Sequence, residues 1–212
     1  IQNPIFNTGA EDEYPTIACD NNGHVYVAYV TAGVVSGGNT EDSPKTRDIV
    51  VFQADSSSGE IQWTRQSSFN TSGAEGYPAI ACNNCGCYIA YTNGGQTTIS
   101  VFSMDVSGNL RWVKKSDTSF NSIIPSKAGP PRIACDPCGY SYVTYNSDNV
   151  VSGGSNEGEF DVVIFKLDNS GDLVWIKQNP DYNTQQADES PSIALGPDGS
   201  CYVAYQTADT VS

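Results

Sequence analysis

Tyr14-Pro15-Thr16-Ile17-Ala18-Cys19 is a phrase that this chain repeats. It returns as Tyr77-Pro78-Ala79-Ile80-Ala81-Cys82, as Pro130-Pro131-Arg132-Ile133-Ala134-Cys135 and as Ser190-Pro191-Ser192-Ile193-Ala194-Leu195. The shared prolines 15, 78, 131 and 191 stand 63, 53 and 60 residues apart. A spacing of this size marks an array of similar supersecondary units rather than one irregular domain.

Each phrase leads into a glycine turn: Asp20-Asn21-Asn22-Gly23, Asn83-Asn84-Cys85-Gly86, Asp136-Pro137-Cys138-Gly139 and Gly196-Pro197-Asp198-Gly199. Asn-Gly and Asp-Gly supply the positive φ of a tight hairpin. A Tyr- and Val-rich strand follows every turn. A third strand is a nearly unbroken apolar run, Ile49 to Phe52, Ile99 to Phe102 and Val162 to Phe165. Such runs belong to strands covered on both faces. After a second glycine turn, a fourth strand carries Trp63, Trp112 or Trp175 at one register, which predicts packing between neighbouring units.

Four antiparallel strands per unit, stacked face to face, predict an all-β fold of β-propeller blades. A β-sandwich, the competing architecture, has no reason to repeat at this period. The expected division is 1–9 as the fourth-strand remnant of a preceding blade, 10–73, 74–127 and 128–187 as full blades, and 188–212 as the first half of a further one. Ile1 to Thr8 aligns with Lys177 to Thr184, and Thr210-Val211-Ser212 matches the start of Val34-Val35-Ser36-Gly37-Gly38. The expectation is a segment of a longer chain, with closure of one ring by a second copy as the alternative.

The chain has 212 residues, with 10 Lys+Arg against 24 Asp+Glu, a formal charge of −14. This balance disfavours nucleic acid and anionic membranes and suits solubility, cations or a basic partner. No apolar run is long enough for a membrane span. Ile1-Gln2-Asn3-Pro4 has neither the charge nor the apolar stretch of a signal peptide. Asn70-Thr71-Ser72 is the one glycosylation sequon.

An antiparallel meander sends the long, variable loops to one rim, where function tends to be placed. That rim gathers Glu11, Asp12, Glu13, Glu41, Asp42, Glu75, Glu157, Glu159, Asp161, Asp188 and Glu189, with Lys45, Arg47, Lys127 and Arg132 as basic exceptions. The expected binding surface is Glu11, Asp12, Glu13, Glu41, Asp42, Glu157, Glu159, Asp188 and Glu189. Asp20-Asn21-Asn22-Gly23 and Asp168-Asn169-Ser170-Gly171-Asp172 look like calcium loops but lack the downstream Glu.

The 7 cysteines show no regular disulfide framework. Cys82 with Cys85 and Cys135 with Cys138 form two C-x-x-C turns. Three readings stay open: buried thiols, local disulfides with Cys85 and Cys138 the favoured partners, or a shared zinc. Cys19, Cys82 and Cys135 share a position that Leu195 fills in the fourth copy, which predicts a buried apolar side chain. His24 is the lone histidine, and no catalytic partner for it is legible.

The hairpins Ile17-Ala18-Cys19-Asp20 with Gly23, Tyr26 and Val27, and Asp161 to Asp168 with Gly171, Leu173 and Trp175, resemble the SBBP-type β-propeller repeat. The second also looks like a quinoprotein-type blade, without matching that family's cofactor site. The resemblance implies a secreted, cell-surface or virion-associated module. The functional expectation is therefore a non-enzymatic binding or structural propeller with no cofactor. It would engage a protein or glycan, basic in character, through the acidic rim. A propeller hydrolase or lyase with a channel site, and a zinc- or calcium-stabilised scaffold, are the alternatives.

Overall fold

A computed structural model describes residues 6–35, 46–122 and 127–211. All the secondary-structure elements among them are β-strands. β1 (Asp12–Cys19), β2 (His24–Thr31), β3 (Asp48–Asp55) and β4 (Ile61–Arg65) form the first sheet in that order. β5 (Gly76–Asn83), β6 (Gly86–Asn93), β7 (Thr98–Asp105) and β8 (Leu110–Lys114) form the second. β9 (Arg132–Cys135), β10 (Ser141–Ser147), β11 (Asp161–Leu167) and β12 (Leu173–Lys177) form the third. β13 (Asp188–Leu195) and β14 (Cys201–Thr207) make a two-stranded sheet. Every pairing is antiparallel. The inner strands β1, β5, β9 and β13 lie side by side in sequence order, as in a propeller.

Packing between sheets follows the sequence pattern. The apolar runs of β3 and β7 are buried along most of their length, and β6 is buried throughout. One cluster joins Tyr26, Ile49 and Val51 of the first blade to Ile89, Tyr91 and Phe102 of the second. Another joins Tyr88 and Val101 of the second blade to Val143, Tyr145 and Phe165 of the third. The tryptophans fasten these joints. The indole N–H of Trp63 donates to the Val106 carbonyl at 3.0 Å, and that of Trp112 to the Asn169 carbonyl at 3.0 Å. Each ring lies on the turn glycine of the next blade, Gly108 or Gly171, where a Cβ would stand 2.7 Å from the indole.

The linkers carry a second fastening that the repeated phrase does not announce. Asn70 Oδ1 accepts from Ile49 N at 2.8 Å while its Nδ2 donates to Ile49 O at 3.0 Å. Asn121 treats Ile99 in the same way, and Asn183 treats Val162. The preceding aromatic reaches forward: Phe69 stacks on Phe102, Phe120 on Phe165 and Phe6 on Phe52. Tyr91, Tyr145 and Tyr29 donate their hydroxyls to the carbonyls of the same three phenylalanines. Each linker thus ties the third strand of one blade to the second and third strands of the next. The strand remnant expected over 1–9 falls largely outside the described residues; Phe6 and Thr8 form no strand and belong to such a linker.

One packing expectation fails. Cys19 is exposed and Cys82 and Cys135 are half-buried. Cys82 and Cys135 lie against the clusters between blades, with the Ile17 counterparts Ile80 and Ile133; that face of β1 meets no preceding sheet among the described residues, which leaves Cys19 exposed and Ile17 66% exposed. The fully buried cysteine is Cys87, on the second strand.

Candidate functional site

The chain enters three of its inner strands through the same distortion. The β1 register shifts between Glu13 and Thr16, that of β5 between Gly76 and Ala79, and that of β13 between Glu189 and Ser192. The residue before each marker proline is left-handed: Tyr14 at φ 53°, Tyr77 at φ 48° and Ser190 at φ 53°. A non-glycine residue there costs about 1–2 kcal/mol, and bulges of this kind re-aim a side chain. Here they bring the Tyr14 and Tyr77 rings together with centroids 4.5 Å apart. The neighbouring Tyr77 side chain raises the Tyr14 pKa.

Beside this pair, Arg47 Nη2 lies 2.9 Å from Glu13 Oε2 and 3.3 Å from Glu11 Oε2. The Arg47 carbonyl accepts the backbone N–H of Glu75 at 2.8 Å. Glu75 is 2% exposed. Its Oε1 accepts from the backbone N–H of Thr71 at 2.8 Å and from the Thr71 hydroxyl. Its Oε2 has no hydrogen-bond partner. Burial pushes the Glu75 pKa up to about 7, against the Thr71 hydrogen bonds, and the charge of Asp48 pushes the same way. Tyr14, Arg47, Glu75, Tyr77, Thr92 and Gln96 line one cavity of ≈ 130 Å³. Gln96 also borders a second cavity of ≈ 250 Å³, lined by Lys127, Gly129, Pro130, Phe160 and Glu189.

The acids expected to form a binding surface have separate fates. Glu11 and Glu13 meet at Arg47. Asp12 and Asp188 are anchors within the linkers: Asp12 Oδ2 accepts from Thr8 N at 3.0 Å and Asp188 Oδ2 from Thr184 N at 2.6 Å. Asp188 is fully buried. Glu189 borders the second cavity. Glu157 donates its backbone N–H to Asp161 Oδ2 at 2.7 Å, and Glu159 is exposed. Glu41 and Asp42 lie outside the described residues. Glu75 holds the position of Asp12 and Asp188 and keeps their threonine contact, but it is one methylene longer and leaves an oxygen unpaired.

The remaining candidates are turns. Asp168 Oδ1 accepts from Ser170 N at 2.8 Å and Asp172 N at 2.9 Å, so this calcium-like loop is a hairpin turn held by its own carboxylate. His24 Nδ1 lies 2.7 Å from Asp20 Oδ2, at the opposite rim from Glu75. Burial raises the Asp20 pKa, but hydrogen bonds from His24 and from the backbone of Asn22 outweigh it and hold the carboxyl below its usual value. Cys82, Cys85, Cys135 and Cys138 are free thiols. Among the described residues no group of three or more His, Cys, Asp or Glu is placed to hold a metal.

Sequence reasoning named Glu75 and Arg47 on the rim but did not select them, and it read Tyr14 and Tyr77 only as repeat markers. The available signal was a break in the repeat: the pre-proline position holds Tyr twice, then Pro130 and Ser190.

No protein-family model matches the chain, and no curated protein matches it. Among solved structures, it is similar to an alpha-L-arabinanase of Penicillium chrysogenum complexed with arabinobiose, at 10% identity and a TM-score of 0.58. That match covers 92% of this chain and 57% of the arabinanase, so the chain spans a little over half of the length of that enzyme. An endo-arabinase of Bacteroides thetaiotaomicron matches at 12% identity and a TM-score of 0.49, over 95% of this chain and 72% of that one. A GH43 endo-arabinanase of Bacillus licheniformis matches at 13% identity and a TM-score of 0.47, over 94% and 74%. At these identities the likeness shows the fold, a β-propeller. The SBBP type of the repeat gains no match. The expectation of a non-enzymatic binding or structural module is corrected by these neighbours, which are hydrolases in the main, and the cell-surface and virion settings find no support among them.

Proposed function

We propose that this chain forms part of a propeller hydrolase that cleaves glycosidic bonds in a polysaccharide, with its site at the cavity between the first and second blades. One observation carries the reading. Glu75, with a pKa of about 7, lines a cavity together with Arg47, which is ion-paired to Glu13. Glycoside hydrolysis uses two carboxyl groups in opposite states, one protonated to donate to the leaving oxygen and one ionised. Environments that push two carboxyls apart in pKa assign those roles. Glu75 is the proton donor, since burial keeps it protonated near neutrality. Glu13 is the second carboxyl group, held in place beside the cavity by its ion pair with Arg47.

The tyrosine pair supports the same reading. The apolar faces of Tyr14 and Tyr77 suit the C–H face of a sugar ring, while their hydroxyls and Gln96 suit its hydroxyl groups. Arabinan is the first substrate to test, given the arabinanases that share the fold. Release of new reducing ends from arabinan, xylan and related polymers is the assay. The folded chain should release ends from at least one of them, and Glu75→Gln should lower that rate about 10²–10⁴-fold, the usual contribution of a positioned acid. Equal rates for the two proteins, or no release from any polymer, would refute the proposal.

A further inference from the structure

We propose that Cys82 and Cys87 form a cross-strand disulfide in the β5–β6 hairpin when the chain folds in an oxidising environment. The sequence pattern of C-x-x-C turns points to Cys85 and Cys138; the register of the sheet points elsewhere. Cys82 stands directly opposite Cys87. The four repeats serve as controls. The corresponding pairs are Cys19 with Val25, Cys135 with Ser141 and Leu195 with Cys201, so the second blade alone sets two thiols face to face. Its hairpin is also one residue shorter, running from Ile80 to Tyr88 where the others run from Ile17 to Tyr26, Ile133 to Tyr142 and Ile193 to Tyr202.

The pair is of the type that admits a bridge. In the other three hairpins the pair next toward the turn shares a backbone hydrogen bond: Asp20 N to His24 O, Asp136 N to Tyr140 O and Gly196 N to Ser200 O. The pair beyond is then the non-hydrogen-bonded one, whose Cα atoms approach to about 4.5 Å. The same alternation holds in the second blade, where Asn83 opposite Gly86 closes the two-residue turn. A separation of about 4.5 Å lies within the range that a disulfide spans. The Cys87 thiol is near enough to help raise the pKa of the Cys82 thiol.

Timing follows from burial. Cys87 is fully buried and Cys82 half-buried, and burial together with the Cys87 thiol keeps Cys82 protonated. Thiolate is the attacking species, so exchange in the packed protein is slow and the bond forms while the hairpin is still open. One thiolate attacks oxidised glutathione and releases the first glutathione thiolate, leaving a mixed disulfide. The second thiolate attacks that sulfur, closes the Cys82–Cys87 bond and releases the second glutathione. Two electrons pass to the glutathione disulfide, and the two thiol protons end on the glutathiones released.

The test is refolding of the reduced full chain in an oxidised and reduced glutathione buffer, then alkylation in denaturant and peptide mass analysis. Two of the seven thiols should be lost, with the missing pair mapped to Cys82 and Cys87. Cys87→Ser should restore alkylation at Cys82. Val25→Cys copies the facing pair into the first blade and should add a bond from Cys19 to the new thiol. Alkylation of both Cys82 and Cys87 in the refolded wild type, a bond mapped to Cys85 or Cys138, or no second bond in the Val25→Cys protein would overturn the inference.

Discussion

Asn70 shows how much a single side chain does in this fold. Its amide satisfies both backbone groups of Ile49, and it is fully buried. Asn70→Ala strands a buried N–H and a buried C=O, and each orphan costs about 1–3 kcal/mol. A loss of about 2–4 kcal/mol in denaturant unfolding is the expected result, and a loss below 0.5 kcal/mol would contradict the clamp. The same burial answers the sequon: Asn70 has no free amide nitrogen in the folded chain, so it should carry no glycan on correctly folded protein, which intact mass after secretion would show. Glu75 teaches a different lesson. Its counterparts Asp12 and Asp188 make it look like one more linker acid, and only the packed structure reveals the unpaired oxygen. Burial belongs to the assembled blades, and no local pattern encodes it.

At the scale of the element, the joints between blades explain why the tryptophan register was readable and the linker clamp was not. Trp63, Trp112 and Trp175 stand at a fixed distance from a glycine turn, so their alignment is visible in sequence. The aromatic-Asn-Thr/Ser linkers, at 6–8, 69–71, 120–122 and 182–184, sit beyond loops of unequal length and blend with ordinary polar residues. Gly171 permits a direct test of the tryptophan joint. It is at φ +81°, and a Cβ would stand 2.7 Å from Trp112. Gly199 has nearly the same conformation, φ +82°, with nothing within 4 Å of an added Cβ. Gly199→Ala should therefore cost only the backbone strain, about 1–2 kcal/mol. Gly171→Ala should cost distinctly more, because overpacking adds about 1–3 kcal/mol. Equal losses in chemical unfolding would mean that the indole does not hold the blades together.

For the molecule as a whole, the repeat predicted the all-β propeller correctly and predicted its activity poorly. Identical turns and cores specify blades, whereas chemistry lies where the copies differ. The buried carboxyls also give the fold a pH dependence. The Glu75 pKa is raised to about 7, and burial raises that of Asp161 as well. The folded state therefore holds protons that the unfolded chain releases above the ordinary carboxylate range. The resulting stability is fully present below pH 4–5 and is lost as pH rises through about 7. Thermal unfolding should show the wild type losing stability between about pH 5 and 7 and levelling off above that, with Glu75→Gln flattening that decline by on the order of 2 kcal/mol.

The most direct test is a titration of the Glu75 carboxyl in the intact chain, by carbon-detected NMR with Glu75→Gln to identify the signal. That carboxyl is desolvated only if the first and second blades close around it, beside Arg47 and the two tyrosines. A midpoint near 7 is the result this account predicts. A midpoint close to 4.5, the value of a glutamate in water, would contradict both the packing and the chemistry assigned to it.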